Sequence, residues 1–221
     1  MDLLPLFPLP NAVLFPNVFL PLHIFEPRYR AMVADALEGD RLVGMVLLRP
    51  GWQADYDGCP PVYPIGCIGV ITHAARMDDG RFNIVLRGVG RFRIVEENHE
   101  QPYRRAIYET LSEKPLSPDD RLEIARQRER LEGVLAPAVE QLGPRHAHHS
   151  SEIRSASPRT AAGLNDEELV NALAQYLDFD PLEKLALLER NGLNSRAEAL
   201  VELIEMKMML ARSPHVRRVD H

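Results

Sequence analysis

The chain has 221 residues, of which 45% are apolar and 26% charged, and its formal net charge is −6. This length and composition are typical of a globular protein with one large domain or two small ones. Neither half is basic, because residues 1–113 carry 11 Lys/Arg against 14 Asp/Glu and residues 114–221 carry 15 against 18. The charge therefore disfavours nucleic acid or an anionic membrane as a partner.

The apolar start of the chain is predicted to be neither an export signal nor a membrane span. Asp2 stands where a signal peptide carries basic residues, and prolines interrupt the apolar helix that such a segment needs. Two cysteines, Cys59 and Cys67, are too few for a disulfide framework. We therefore expect free thiols and a cytoplasmic protein.

Residues 3–33, LLPLFPLPNAVLFPNVFLPLHIFEPRYRAMV, combine apolar side chains with repeated prolines. The apolar residues recur closer to every second position than to a helical period, and the prolines exclude a helix. The stretch predicts two short strands joined by a turn at Leu9–Ala12. A helix is expected to follow, with Glu26 before it and Pro27 at its first position.

Short strands separated by turn signals continue to about residue 111. Asp78–Gly80 is a turn sequence of the kind that joins hairpin strands, and residues 51–64 form a loop rich in Gly, Pro and Asp. Regular short strands of this kind favour a small closed or nearly closed barrel. The predicted strands are 41–50, 65–77, 81–88, 90–97 and 103–111.

Beyond Lys114–Pro118 the strand pattern stops and helix-start signals follow. At each start an Asn, Asp or Ser precedes proline or acidic residues, as at helix N-termini. The segment 143–163 is interpreted as a mobile linker or loop, and residues 213–221 as a disordered tail. The four helices are predicted to begin after Ser117, Asn165, Asp180 and Ser195, and the first is expected to end or kink at Pro137.

Residues 5–33, PLFPLPNAVLFPNVFLPLHIFEPRYRAMV, resemble the opening signature of the Lon protease (ATP-dependent protease La) amino-terminal domain family. GRFNIVLRGVGRFRI is similar to the paired strands of that family, and LEKLALLERNGLNSRAEALVELI to its helical end. The resemblance implies a PUA-like β-barrel, a helical bundle and a role in substrate recognition. The predicted class is α+β, with the barrel and one or two helices over 1–114 and a helical subdomain over 115–212.

The residues disfavour the motor and protease activities that larger members of this family carry. A phosphate-binding loop needs Gly-Lys-Ser/Thr, but Lys114, Lys184 and Lys207 follow Glu, Glu and Met. Residues 114–221 are accounted for by the helical end, so no chain remains for the Ser–Lys protease fold. Neither a Gly-x-Ser-x-Gly nor a His-Glu-x-x-His motif occurs. We expect a stand-alone, non-catalytic module without a cofactor.

Five apolar side chains exceed what one buried face of a small barrel requires. If they are exposed, they form an apolar surface of the kind that marks partner sites. Burial in an interface with the second subdomain is the alternative. The candidate substrate-binding residues are Phe7, Leu14, Phe15, Phe19 and Trp52.

Three other clusters have a functional and a structural interpretation, and the structural one is favoured for each. His146–His149 could bind a metal or lie in a solvated loop. Arg87, Arg91 and Arg93 could contact RNA phosphates or be solvent-facing arginines of a hairpin turn. Glu26–Arg30 could orient a bound chain or only begin a helix.

The leading hypothesis is a module that binds unfolded or damaged polypeptide through apolar and edge-strand contacts. The first alternative is an adaptor or regulator of a separate ATP-dependent protease or other protein partner. RNA binding through the barrel is disfavoured by the overall acidity, and an unrecognised hydrolase has no nucleophile with motif spacing to support it.

Overall fold

A computed structural model describes residues 3–56, 58–113, 115–142 and 163–212, with side chains for all of these except 135–142 and 212. The histidine cluster, the predicted tail and all but the last residue of the predicted linker lie outside this part of the chain. None of the described helices is both long enough and apolar enough to cross a membrane.

The chain divides into two compact units. The sheet unit comprises Met1–Ser112 with Asp180–Glu189, and the helical unit comprises Glu113–Phe179 with Arg190–His221. The first boundary lies two residues before the predicted one. The assignment of 180–189 differs from the prediction, which placed this helix in the second subdomain.

The described part of the sheet unit contains six strands in one hydrogen-bonded sheet, in the order β2-β5-β4-β3-β1-β6. β5 also pairs with β6, so β5, β4, β3, β1 and β6 form a closed ring, and β2 extends from β5 outside it. β1 and β3 are parallel, and the other pairs are antiparallel. The strands are β1 Leu4–Leu9, β2 Phe19–Ile24, β3 Leu42–Leu47, β4 Ile65–Arg76, β5 Phe82–Asn98 and β6 Arg105–Leu111.

The ring encloses a core of apolar side chains from all five of its strands and from the loops beside them. Gly44 of β3 has no room for a side chain, since a Cβ there would lie 2.8 Å from the side chains of both Leu4 and Phe92. A small barrel is filled by large residues on facing strands, and a glycine accommodates them at the tightest point. The cluster comprises Leu4, Leu6, Val46, Leu48, Val62, Ile68, Phe92 and Ala106.

β5 is one strand of 17 residues, and the prediction of two strands separated at Gly88–Gly90 was wrong. The glycines mark a backbone crossing. A Cβ on Gly88 would lie 2.0 Å from the carbonyl oxygen of Phe15, so only glycine lets the 15–18 segment pass over the strand. The first half of β5 pairs with β2 and the second half with β6, while β4 pairs along both.

The arginines of this strand are not all solvent-facing, contrary to expectation. Arg91 is only 4% exposed, and its Nη1 donates to the carbonyl oxygen of Leu188 at 3.1 Å. Leu188 is the last residue of the helix that joins the sheet unit. A cation at a helix C-terminus is stabilising, so Arg91 anchors that helix. The RNA interpretation thereby loses one of its three phosphate contacts.

α1, Pro27–Glu38, begins as predicted, with Pro27 directly after Glu26. α2 continues to Leu142, past Pro137, where the sequence predicted an end or a kink. α3 begins with a capping box, since the Asn165 side chain accepts from the Glu168 backbone and the Glu168 carboxylate accepts from the Asn165 N–H. The remaining helices are α2 Pro118–Leu142, α3 Asp166–Tyr176, α4 Pro181–Leu188 and α5 Leu193–Arg212.

Two buried tyrosines make the sheet unit less stable at alkaline pH. Burial raises the pKa of Tyr29 to about 12, and burial with a 2.7 Å hydrogen bond to Asp35 raises the pKa of Tyr103 to about 12. The fold favours the neutral phenol, so this contribution is complete below pH 10 and is lost as the pH rises through 12. Between pH 10 and pH 12 the free energy of unfolding falls by about 1.4 kcal/mol per pH unit for Tyr29, and by less for the better solvated Tyr103.

In a titration we therefore expect the tyrosinate absorbance of these two residues to appear together with loss of the sheet signal in circular dichroism. The Tyr29→Phe/Tyr103→Phe variant should keep its sheet to a higher pH than the parent, provided that it folds normally at neutral pH. Ionisation of both phenols near pH 10 with the sheet intact would contradict the prediction.

Candidate binding face on the edge strand

β2 is the end strand of the sheet order, and among the described residues it pairs with β5 alone. Its register runs from Phe19 opposite Arg87 to Ile24 opposite Phe82. Successive side chains of a strand point to opposite sides, and burial along β2 alternates accordingly. Leu20, Leu22 and Ile24 are half-buried or buried, whereas Phe19, Pro21 and His23 are exposed.

The exposed positions and Phe25, directly after the strand, share one side of the chain, and we call Phe19, Pro21, His23 and Phe25 the β2 face. Phe19 is 43% exposed and Phe25 is 58% exposed. The His23 and Phe25 rings stack with their centroids 6.2 Å apart. The β2 face therefore presents two half-exposed aromatic rings on either side of a proline and a histidine.

Polar groups hold His23 in one orientation at the centre of the β2 face. Its Nδ1 donates to Asn83 Oδ1 at 2.7 Å, and its Nε2 accepts from Arg81 Nη1 at 3.4 Å. Arg81 is itself paired with Asp79 at 2.5 Å. Hydrogen bonds from the Arg81 side chain and backbone lower the pKa of Asp79, so this ion pair is formed at neutral pH.

An exposed arginine lies beside the first aromatic ring of the β2 face. Arg87 is opposite Phe19 in the strand register, and its Nη2 donates to Asn17 Oδ1 at 3.2 Å. Together with the Arg81–Asp79 pair, it borders the apolar rings with charge. Apolar groups inside a polar rim are the usual composition of a protein-binding surface.

Pro21 limits what the edge of β2 can offer to an incoming strand. Proline has no N–H, so one donor of the edge is absent. A proline on an edge strand is a common protection against uncontrolled strand pairing. The arrangement favours capture of side chains on the β2 face over a continuous backbone ladder.

The five predicted binding residues do not form one surface. Phe7, Leu14 and Phe15 are buried, and Phe7 packs on Tyr29 with ring centroids 4.5 Å apart. Phe19 lies on the β2 face. Trp52 is half-buried in a 3₁₀ turn after β3, where it packs against the barrel core.

Phe25 and His23 are residues of the β2 face that the sequence prediction did not select. The alternation of the sequence puts Leu20, Leu22 and Ile24 on one side of the strand and positions 19, 21, 23 and 25 on the other. That signal was present in the sequence. It gave no way to tell a solvent-facing side from a side covered by the rest of the fold.

Glu26 and Arg28 have the structural role that the sequence favoured. The Arg28 guanidinium lies 4.8 Å from the Tyr29 ring centroid and 5.0 Å from that of Tyr56. Arg28 Nε donates to Glu26 at 3.0 Å, and the Tyr56 hydroxyl donates to the same carboxylate. That hydrogen bond is the main reason why the pKa of Tyr56 is raised.

Metal binding has no support in the described residues, which contain no group of three or more His, Cys, Asp and Glu side chains placed to hold an ion. Both cysteines are free, as predicted, with Cys59 exposed and Cys67 buried. What remains at the β2 face is a surface suited to binding apolar side chains.

Comparison with known proteins gives a consistent result. A family model described as the ATP-dependent protease La (LON) substrate-binding domain matches residues 3–206. Lon protease 2 of Myxococcus xanthus is 27% identical over 207 residues, which are 93% of this chain and 24% of that protein. The Lon protease of Syntrophus aciditrophicus is 32% identical over 124 residues, 55% of this chain and 16% of that protein.

Two solved structures share the fold. The N-terminal domain of a Mycobacterium avium complex Lon protease matches with a TM-score of 0.67 at 15% identity, over 92% of this chain and 98% of that one. The Lon N-terminal domain protein of Xanthomonas campestris matches with a TM-score of 0.55 at 22% identity, over 97% and 100%. The chain spans about a quarter of the length of the Lon protease from Myxococcus xanthus. Since the family match extends over residues 3–206, the chain belongs to the family of LON substrate-binding domains.

Proposed function

We propose that this chain binds unfolded polypeptide through the β2 face and catalyses no reaction itself. One observation carries the proposal: two phenylalanines, Phe19 and Phe25, are 43% and 58% exposed along an edge strand. Covering aromatic rings that are exposed to water at a sheet edge with an apolar partner is favourable, because apolar surface is removed from water. The family description as a substrate-binding domain supports the same function.

The size of the β2 face suggests weak binding. A phenylalanine offers about 200 Å² of surface, so covering the exposed half of each ring contributes about 2.5 kcal/mol at 25 cal/mol per Å². The two rings together contribute about 5 kcal/mol before the cost of ordering the bound chain. About 5 kcal/mol corresponds to a dissociation constant of about 0.2 mM, and such weak binding suits a site that samples many sequences.

Selectivity for unfolded chains follows from the same physics. A folded protein keeps its large apolar side chains inside, whereas an unfolded one exposes them along an extended backbone. The absent N–H of Pro21 interrupts any backbone ladder, so side chains rather than the main chain determine the contact. The bordering Arg87 and Arg81–Asp79 pair give the polar rim.

The test is fluorescence anisotropy with a labelled, reduced and carboxymethylated protein that cannot refold, compared with its native form. We expect the unfolded probe to bind and the native one not to bind. Phe19→Ser with Phe25→Ser should weaken binding by at least about tenfold, since tenfold corresponds to only 1.4 kcal/mol.

Val95→Ser is the matched control for this test. Val95 is 57% exposed on β5, beyond the residues that pair with β2. It should leave the affinity unchanged. Equal affinity of the double variant and the parent, with both folded by circular dichroism, would remove the β2 face as the site.

The second candidate function is an adaptor or regulator for a separate ATP-dependent protease. It is favoured by the comparison with Lon protease 2 of Myxococcus xanthus, in which the region similar to this chain makes up 24% of the protein. Affinity capture from cell extract with the parent and the Phe19→Ser/Phe25→Ser variant separates the two. An adaptor should retain a protease through a surface that this variant leaves intact, whereas a simple polypeptide binder should not.

A further inference from the structure

A cysteine and a histidine that are distant in sequence meet beside a cleft of the sheet unit. Cys59 Sγ lies 3.4 Å from His99 Nδ1. The cleft has a volume of about 150 Å³, and both residues line it together with Arg28, Tyr56, Tyr103 and Arg104. An apolar cavity of about this size binds benzene in another protein, so the cleft has room for a group of about that size.

The backbone on both sides of this pair is held by hydrogen bonds. After Cys59, the carbonyl oxygen of Pro60 accepts from Arg104 Nη1 at 2.5 Å, and that of Pro61 accepts from the Arg49 N–H at 2.9 Å. Beside His99, Glu97 accepts from Arg104 Nε at 2.8 Å. Arg104 therefore ties the two loops together, which keeps the sulfur and the imidazole in contact.

Glu97 also lies near the other nitrogen of the imidazole. Its Oε2 lies 3.9 Å from His99 Nε2. A carboxylate on that side favours the proton on Nε2, which leaves the lone pair of Nδ1 facing the sulfur. A nucleophile and a base are then in contact, which is the arrangement that activates a thiol.

We propose that Cys59 and His99 form a reactive thiol site that takes small disulfides from solution. The thiol proton passes to His99 Nδ1, and the thiolate attacks one sulfur of the disulfide. A bond forms between Cys59 Sγ and that sulfur while the original S–S bond breaks. The leaving thiolate takes the proton from His99, so one disulfide is consumed and one is formed without an external oxidant.

The buried thiol provides an internal comparison. Cys67 lies in β4, is fully buried, and its Sγ donates to the carbonyl oxygen of Ile68 at 3.5 Å. It has no access to a dissolved disulfide while the chain is folded. Cys59 is exposed, and the side chain of His99 is 48% exposed, so a reagent can reach the pair.

The experiment treats the full chain with glutathione disulfide and locates the mixed disulfide by intact mass and peptide mapping. A chromogenic aromatic disulfide then gives the second-order rate constant against pH. A positioned base that takes the thiol proton as the new bond forms accelerates the attack by about tenfold or more. We therefore expect Cys59 to react first and His99→Asn to slow it about tenfold near neutral pH.

The pH profile separates a base from a structural neighbour. The difference between parent and His99→Asn should shrink as the pH rises, because solvent hydroxide then takes the thiol proton in both proteins. The charged and titratable groups around the pair, which are common to both proteins, are Arg28, Tyr29, Tyr56, Glu97, Tyr103 and Arg104. His73→Asn, at an exposed histidine of β4, should leave the profile unchanged.

Three results would each overturn the proposal. The first is that Cys59 reacts with the same rate constant in the parent and in His99→Asn at every pH. The second is that Cys59 reacts no faster in the folded chain than in the chain in denaturant. The third is that Cys67 is modified before Cys59. Circular dichroism of each variant confirms that the comparison is between folded proteins. Cys59→Ser should abolish the rapid reaction with the aromatic disulfide.

Discussion

Replacing Arg196 by methionine is expected to lower the free energy of unfolding of the helical unit by about 3 kcal/mol. The side chain is 0% exposed, and it donates to Asn171 Oδ1 at 3.1 Å and to Glu113 Oε1 at 2.5 Å. Methionine keeps much of the volume but removes the charge that these acceptors face. Removing one partner of a buried ion pair costs about 3–5 kcal/mol, and the partial exposure of Glu113 places the effect at the lower end.

Arg130→Met is the matched control, because it removes an arginine–glutamate pair from the surface of the same unit. Arg130 Nη2 lies 3.0 Å from Glu205 Oε1, and both side chains are nearly half exposed. Water screens such a pair, so its loss should change stability by less than about 1 kcal/mol. Urea denaturation followed by circular dichroism measures both variants. Equal losses would show that burial of Arg196 does not determine its contribution.

Replacing Gly88 by alanine is expected to destabilise the sheet unit by about 3 kcal/mol, the upper part of the range for overpacked sites. The added Cβ would lie 2.0 Å from the carbonyl oxygen of Phe15 and 2.7 Å from its carbonyl carbon. Both atoms are backbone, so no side-chain rotation relieves the contact. The 15–18 segment has to move away from β5.

Gly90→Ala, two residues along the same strand, is the control. A Cβ there meets nothing within 4 Å, so alanine should be neutral or slightly stabilising because glycine loses more conformational entropy on folding. Thermal and urea denaturation of the two variants test the difference. Similar stabilities would mean that the crossing of Phe15 over β5 is not tight in solution.

The Gly88 crossing matters for binding as well as for stability. Asn17 N–H donates to the carbonyl oxygen of Gly88, and Gly88 N–H donates to that of Val18, each at 2.9 Å. These two bonds hold the chain at the point where β2 begins. Displacing them should also displace Phe19, so Gly88→Ala is expected to weaken polypeptide binding even under conditions where most of the protein remains folded.

Much of the architecture could be predicted from local patterns. Period-two spacing and proline placed β1 and the start of α1, because each depends on residues within a few positions of one another. The second strand was predicted directly after the turn at Leu9–Ala12, but β2 begins only at Phe19 and pairs with β5. The charge balance and the absence of a phosphate-loop motif around the lysines can likewise be read directly from the sequence. The resemblance of both halves of the sequence indicated the Lon amino-terminal domain family, and the family model that matches residues 3–206 confirms it.

The remaining features depend on contacts between residues far apart in the chain. Gly88–Gly90 has the composition of a hairpin turn, and only the passage of Phe15 over the strand makes it part of a continuous β5. Arg91 has the composition of a surface residue, and only α4, about a hundred residues later, buries it.

The binding residues divide in the same way. The order of residues determined that the start of the chain is apolar, proline-interrupted and extended. Which of its aromatic rings meet water was decided by the tertiary structure, which buries Phe7 and Phe15 and leaves Phe19 and Phe25 half exposed. Exposure depends on what the rest of the chain packs against each side of a strand, and a local pattern shows that two sides exist without showing which one is covered.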